Sequence, residues 1–190
     1  TLTFTGDCTL GNTPVMRGRP ESFEAYVEQN GLEYPFAQVK ALFEEDDLTI
    51  INLEGVFHDS ETGVAQGKTY TFRAPTSYAE MLPLSSIEMA YLGNNHVFDY
   101  GEPGYQSTVK ALDAQGIQWF GTTEYGHETA IYEKGNIKLG FVSINISYWW
   151  KEGMGNEMKE TLRKLKEEEK CDVVIACLHG GVEYDKRHDT

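Results

Sequence analysis

The sequence has 190 residues, sixteen of them basic and thirty acidic, for a formal charge of −14. That length suits one domain, and 40% apolar with 12% aromatic residues supports a packed core over disorder. So acidic a chain repels polyanions, which argues against general nucleic-acid binding, and no apolar run reaches the roughly 18 residues that a membrane span needs.

Leu2–Thr5 reads as a strand running into Gly6-Asp7, with no leader pattern before it. Residues 10–34 are loop-like, with a short helix over Ser22–Gln29. Pro35–Glu45 is predicted helical, because Phe36, Val39, Leu42 and Phe43 fall on one face. Leu48–Leu53 is a β-branched apolar strand that stops at Glu54-Gly55. Residues 56–69 are polar and Gly-rich, hence a loop, followed by a short strand over Tyr70–Arg73 and a helix over Pro75–Leu82. Ile87–Leu92 is a strand leading into Gly93-Asn94-Asn95-His96. Pro103–Gln115 is a helix with Gly116 as its stop. Ile117–Phe120 is a short strand, and Thr129–Glu133 with Ile137–Ile144 form a hairpin. Asn156 caps a helix to about Lys170, with Met158, Leu162 and Leu165 inward and Lys164–Lys170 as its solvated face. Asp172–Leu178 is the last strand, ending at His179-Gly180-Gly181.

The alternation of strands and helices predicts an α/β fold, and the hairpin makes its sheet mixed. Cys171 and Cys177 flank one strand, about 20 Å apart when extended, so they cannot pair. With Cys8 the count is odd, and no disulfide framework is expected. Cys8 itself reads as a buried thiol.

In open α/β sheets ligands bind beyond the carboxyl ends of strands. Four such ends carry polar residues of one kind: Asp7; Asn52 and Glu54; Asn94, Asn95, His96 and then Asp99; His179, with Glu183 beyond it. Taken singly, each suits a turn or a cap. Taken together, carboxylates, amide oxygens and imidazoles are the donors that zinc, manganese or iron accept. His58, His127 and His188 have no strand-end partners and read as surface residues.

Thr5-Gly6-Asp7-Cys8-Thr9-Leu10-Gly11, Asn52-Leu53-Glu54-Gly55, Gly93-Asn94-Asn95-His96-Val97-Phe98-Asp99-Tyr100-Gly101 and His179-Gly180-Gly181-Val182-Glu183-Tyr184 occur in this order over nearly the whole chain. Their set resembles the CapA-type poly-γ-glutamate capsule synthesis family of bacteria, which is related to the calcineurin-like metallophosphatases. The resemblance implies a metallophosphatase-like mixed β-sheet sandwich flanked by helices. It implies a single domain over residues 1–190, shortened at its C-terminal part, since no final Gly-His-x-His motif precedes Thr190.

By the same resemblance Asp7, Glu54, Asn95 and His179 are the metal ligands, with Thr9 standing where a histidine falls in metallophosphatases. His96 is the catalytic histidine, and Asp99 orients it or caps the next turn. Asn52, Asn94 and Glu183 line the site. The implied cofactor is a divalent metal (Mn, Zn or Fe). The implied partners are an anionic polymer such as poly-γ-glutamate and a membrane-bound synthase complex, with no nucleic acid. The implied location is the cell surface or outside it, with an N-terminal signal or anchor not included in this sequence. Arg17, Arg19, Lys68 and Arg73 are loop bases able to offset the repulsion between an acidic chain and an acidic polymer. Two further readings remain open: a non-catalytic polymer-binding or accessory subunit, with Tyr148-Trp149-Trp150 as an aromatic platform, and a metal-dependent phosphoesterase.

Overall fold

A computed structural model describes residues 1–122, 128–145 and 154–180. Its order is β1 (Leu2–Cys8), α1 (Phe23–Asn30), α2 (Lys40–Glu44), β2 (Leu48–Leu53), β3 (Val56–Phe57), β4 (Arg73–Ala74), α3 (Met81–Leu84), β5 (Met89–Tyr91), α4 (Gly101–Ala114), β6 (Gln118–Phe120), β7 (Thr129–Lys134), β8 (Ile137–Asn145), α5 (Met154–Arg163) and β9 (Val173–His179). The first sheet is parallel throughout, in the order β1-β2-β5-β6. The second runs β7-β8-β9, antiparallel across the hairpin and parallel between β8 and β9. β3 and β4 form a small parallel pair of their own.

The two main sheets pack face to face, as the expected sandwich requires. Leu48, Ile50, Met89, Tyr91 and Phe120 of the first meet Ala130, Leu139 and Phe141 of the second. The opposite face of the first sheet (Ile51, Leu53, Ala90 and Leu92) packs under the helices with Tyr105 and Leu112 of α4. β2 is therefore buried on both faces along all six of its residues, which is why its sequence is a near-continuous apolar run. On the outside of the second sheet, Val142 packs against Leu165 and Cys171. The layers are thus helix, sheet, sheet, helix.

Several expectations are corrected in detail. The helix expected over Pro35–Glu45 is a 3₁₀ turn (Tyr34–Phe36) followed by α2. At Val39 the backbone bends to φ −118°, which resets the helical phase. Phe36 and Phe43 stay buried and pack ring on ring, whereas Leu42 faces solvent. The strand expected at Tyr70–Arg73 shrinks to Arg73–Ala74, paired with a β3 that the loop composition of residues 56–69 concealed. The segment read as a helix over Pro75–Leu82 is 3₁₀ from Thr76 to Glu80 before α3. α5 begins at Met154, so Asn156 lies inside its first turn and does not cap it, and residues Lys164–Glu168 continue as a π-turn. Leu165 is buried there, while its neighbours are exposed as expected. All three cysteines are unpaired.

Gly55 has φ +119°, and a Cβ built on it would lie 2.9 Å from Phe72 Cβ and 3.2 Å from Phe72 O. Gly55→Ala is expected to lower the unfolding free energy by about 2–4 kcal/mol, combining left-handed backbone strain with over-packing. Urea denaturation followed by circular dichroism measures it. A loss below about 1 kcal/mol, the scale of an ordinary surface change, would remove Gly55 as the hinge that seats Phe72 beside the site.

Candidate functional site

The chemistry collects where β1, β2, β5 and β9 end. In β2, residues Leu48, Ile50 and Asn52 share the inter-sheet face by strand alternation, so Asn52 emerges at the mouth of that core. In β9, Ile175, Cys177 and His179 share the facing side, for the same reason. Asp7 reaches them through an irregularity. Phe4 pairs with Ile50 but Asp7 pairs with Asn52, so three residues of β1 advance against two of β2. The extra residue is a bulge, and it turns the following side chain to the other face. Asp7 therefore points to the side of Asn52 and His179. Without the bulge, Gly6 would occupy that place.

These side chains satisfy one another in a chain. Asn52 Nδ2 donates to Asp7 Oδ1 at 2.6 Å and lies 3.4 Å from His179 Nδ1. His179 Nε2 lies 2.9 Å from Asn95 Oδ1. Asn94, fully buried, donates to both Asn52 Oδ1 and Leu53 O at 2.9 Å and accepts from the backbone N–H of His96 at 2.9 Å. A cavity of about 390 Å³, lined by Phe4, Asp7, Ile50, Tyr91, Ile175 and His179 among others, opens between the sheets beside this chain.

His96 forms the second part of the site. Its Nδ1 is 2.8 Å from Asp99 Oδ2, and its Nε2 is 3.4 Å from Glu54 Oε1. Phe72 packs against the imidazole at a 49° tilt, with ring centroids 4.6 Å apart. Asp99 is fully buried and also accepts from Lys68 Nζ and, at 2.5 Å, from the Phe72 N–H. Lys68 Nζ further donates to Asn95 O at 2.6 Å. An ionised carboxylate can only accept, so the proton between His96 and Asp99 sits on Nδ1, and Nε2, on the side of Glu54, is the imidazole's working atom. Of the two roles open to Asp99, orienting His96 is the one its contacts serve.

Glu54 is largely buried, its side chain 13% exposed, and burial first, then hydrogen bonding to and the charge of Asp7, push its carboxyl up to about 7. Burial also lowers His179, against the pull of Asp7, which keeps the imidazole neutral and able to ligate. Burial raises the Cys8 thiol and keeps it protonated. The Glu54 shift has a defined sign. The folded protein holds this proton to about pH 7 and the unfolded chain only to about 4.5. Its contribution to stability is therefore complete below pH 4.5 and is lost as pH rises through 7. In chelator-treated protein, Glu54→Gln is expected to flatten the pH dependence of the melting temperature over that window. An unchanged slope would show that Glu54 titrates as an ordinary surface acid.

The donor set of Asp7, Glu54, Asn95 and His179 suits a divalent cation by chemistry: two carboxylates, one amide oxygen and one imidazole. Among the described residues no three His, Cys, Asp or Glu side chains stand in ready ligand geometry, so the amide oxygen of Asn95 would complete the set; the Asn52 oxygen is turned to Asn94 and only its amide N–H faces Asp7 and His179. Six expected positions, Asp7, Asn52, Glu54, Asn94, Asn95 and His179, come together with His96 and Asp99. Glu183 lies outside the described residues, as do Tyr148, Trp149, Trp150, His127 and His188. His58 is corrected: it is partly buried against Tyr100, with ring centroids 6.0 Å apart. Lys68, expected only as a loop base that offsets charge, is bound into the site through Asp99 and Asn95, and the Phe72 N–H is a part that residue spacing missed. The one sequence signal for Lys68 was a basic residue in a loop.

A family model described as bacterial capsule synthesis protein PGA_cap matches residues 1–190. The capsule biosynthesis protein CapA of Bacillus anthracis is 24% identical over an alignment of 205 residues, which takes in 98% of this chain and 48% of that protein. The chain thus spans about half the length of the curated relative it matches. Among solved structures, a putative 5′-nucleotidase from Staphylococcus aureus, in complex with α-ketoglutarate, aligns with a TM-score of 0.52 at 14% identity, over 97% of this chain and 38% of that one. A phosphatase from Mycoplasma pneumoniae aligns with a TM-score of 0.53 at 16% identity, over 95% and 55%. A hypothetical protein from Thermus thermophilus gives 0.52 at 19%, over 95% and 58%. These structural likenesses establish the metallophosphatase-like fold.

Proposed function

The chain belongs to the PGA_cap family of bacterial capsule synthesis proteins, matched over residues 1–190, and on that premise we propose that it supplies a divalent-metal site acting on poly-γ-glutamate, or a related capsule polymer, at the cell surface. The observation that carries this is the convergence of Asp7, Asn52, Asn95 and His179 at one mouth of the sandwich, with Glu54 between Asp7 and His96 and Asp99 behind the imidazole. Turn and cap residues at separate strand ends have no reason to meet.

Asp7, Glu54, Asn95 and His179 would hold the cation. When bound, it supplies Lewis-acid polarisation and an acidified water. His96 then acts as general acid: its Nε2 hands a proton to the departing oxygen or nitrogen, while Asp99 holds Nδ1 and stabilises the imidazolium. Asn94 fixes the distance between the ends of β2 and β5 on which both halves depend. A membrane-bound synthase is the partner this reading calls for. No helix among the described residues is long and apolar enough to cross a membrane.

Calorimetric titration with Mn²⁺ and Zn²⁺ tests the ligand set. Glu54→Ala and His179→Ala are each expected to weaken binding at least about 10-fold, the lower end for losing a group that a metal depends on, with the circular dichroism spectrum unchanged. Binding as tight as the parent's in both variants would show that the ligands lie elsewhere.

A further inference from the structure

A second charged cluster lies one residue beyond the one that holds His96. Asp99 and Phe72 grip the imidazole; the next residues, Tyr100 and Arg73, face a different set of partners. Arg17 and Arg73 stand over the Tyr100 ring, with guanidinium carbons 5.6 and 5.9 Å from its centroid. Both reach a single carboxylate oxygen, Glu61 Oε1, through Arg17 Nη1 and, at 2.9 Å, Arg73 Nη2. The Tyr100 hydroxyl donates to Glu61 Oε2 at 3.3 Å.

The cations are fixed and the anion is loose. The arginine side chains are only 14% and 13% exposed, whereas Glu61 is 60% exposed. Arg17 is tied to the Tyr100 hydroxyl at 2.5 Å and Arg73 to the His58 carbonyl at 2.5 Å. Glu61 is the one carboxylate both guanidiniums contact directly; Asp59, held by Thr76, acts on Arg73 only through its charge. Arg17 Nε, Arg73 Nε and His58 Nε2 are buried and have no hydrogen-bond partner among the described residues. Buried donors are normally satisfied. Here they ring one tyrosine, beneath a carboxylate that water can draw away.

Beside this cluster, segments 13–16 and 64–71 line a cavity of about 570 Å³, a ligand-sized volume. One wall runs on into Arg17 and the other into Arg73. Lys68, on that second wall, touches Asp99 and Asn95 next to His96. Of the residues named here only Lys68 lines the cavity itself; the two arginines continue its walls in sequence and belong to the neighbouring cluster.

We propose that Arg17, Arg73 and Tyr100 form a carboxylate receptor that Glu61 occupies in the resting protein, and that a carboxylate of an incoming ligand displaces Glu61 to anchor itself there. Planar guanidiniums suit this task, because their N–H groups match a carboxylate's oxygens. The site deepens, and rests on, the polymer-handling reading. A γ-linked glutamate chain carries one free α-carboxylate per residue, so a polymer of that kind offers the receptor a carboxylate at every repeat. A small free dicarboxylate shares the same chemistry.

The test is binding to protein stripped of metal with a neutral chelator such as 1,10-phenanthroline and then dialysed, so that it is independent of the metal site and free of competing carboxylates, with a γ-linked glutamate oligomer and with glutarate as probes. If Glu61 fills the receptor nine-tenths of the time, its removal raises apparent affinity about 10-fold. Glu61→Gln and Glu61→Ala are therefore expected to bind more tightly than the parent, and adding Arg73→Gln to Glu61→Gln is expected to erase the gain. A gain for the oligomer supports receptor and polymer together. A gain for glutarate alone supports the receptor and overturns the polymer as its ligand. No gain for either probe, with folded spectra in both Glu61 variants, would overturn the receptor and leave Glu61 as a structural bridge. Should both Glu61 variants unfold, that dependence on the bridge overturns the proposal as well.

Discussion

Asp99→Ala is expected to lower the unfolding free energy by about 3–5 kcal/mol, the range for removing one partner of a buried ion pair. The carboxylate is fully buried and serves three donors: Lys68 Nζ, the Phe72 N–H and His96 Nδ1. Alanine strands all three. Lys68 retains 30% exposure and can turn towards water, which limits its share of the penalty, but the Phe72 N–H and the imidazole cannot. Asp99→Asn keeps the shape and one acceptor oxygen while turning an amide against donors, and about 1–3 kcal/mol is the expected loss. Urea denaturation of the pair provides the measurement. Equal losses in the two variants would show that packing volume, and not charge, is what Asp99 contributes.

His96→Ala is expected to reduce metal-dependent turnover about 10²–10⁴-fold, the usual contribution of a positioned general acid, and to lower Mn²⁺ affinity by less than about 10-fold, through its contact with Glu54 alone. The separation follows from the geometry. His96 contacts Glu54 at 3.4 Å and Asp99 at 2.8 Å, whereas the imidazole within reach of Asp7 and Asn95 is His179. Steady-state rates on a γ-linked glutamate oligomer and on an aryl phosphate, each with added Mn²⁺, give the comparison. His96→Gln retains a hydrogen-bonding group without proton transfer and should be as slow as alanine. If both variants keep parental turnover, His96 is a packing residue under Phe72. If Mn²⁺ affinity falls by more than about 10-fold along with the rate, His96 belongs to the ligand set.

Much of this was legible in the residues, and the rest was not for definite reasons. β2 showed its full length, Leu48 to Leu53, because a strand buried on both faces must be apolar throughout. Asn52 and His179 were recognisable as strand-end groups, because side-chain alternation fixes their direction once the strand is known. Asn94 and Asp99 were read as a site-lining residue and as a choice between cap and positioner. Their roles are set by contacts that span 42 and 27 residues of sequence, and no local pattern encodes such contacts. Lys68 and Phe72 lie in a polar, Gly-rich stretch whose composition says only loop. The phase break at Val39 was hidden because Phe36, Val39, Leu42 and Phe43 keep helical spacing even though the backbone does not. His58 looked like a surface residue for want of a strand-end partner, yet its partner is a ring 42 positions away, Tyr100.

The bulge between Phe4 and Asp7 bears on how related chains are to be compared. It makes the placement of Asp7, the first of the proposed ligands, a matter of counting as much as of chemistry. A homologue one residue shorter between those points would still align its aspartate with Asp7, but that carboxylate would be turned to the opposite side of the strand. Its sequence would advertise an acid that its cleft does not contain. Conversely, a homologue that regains a residue there recovers the acid without any substitution. Within such a lineage, single-residue insertions and deletions in the first strand would toggle metal affinity while the fold persists, and substitution counts alone would not register the change.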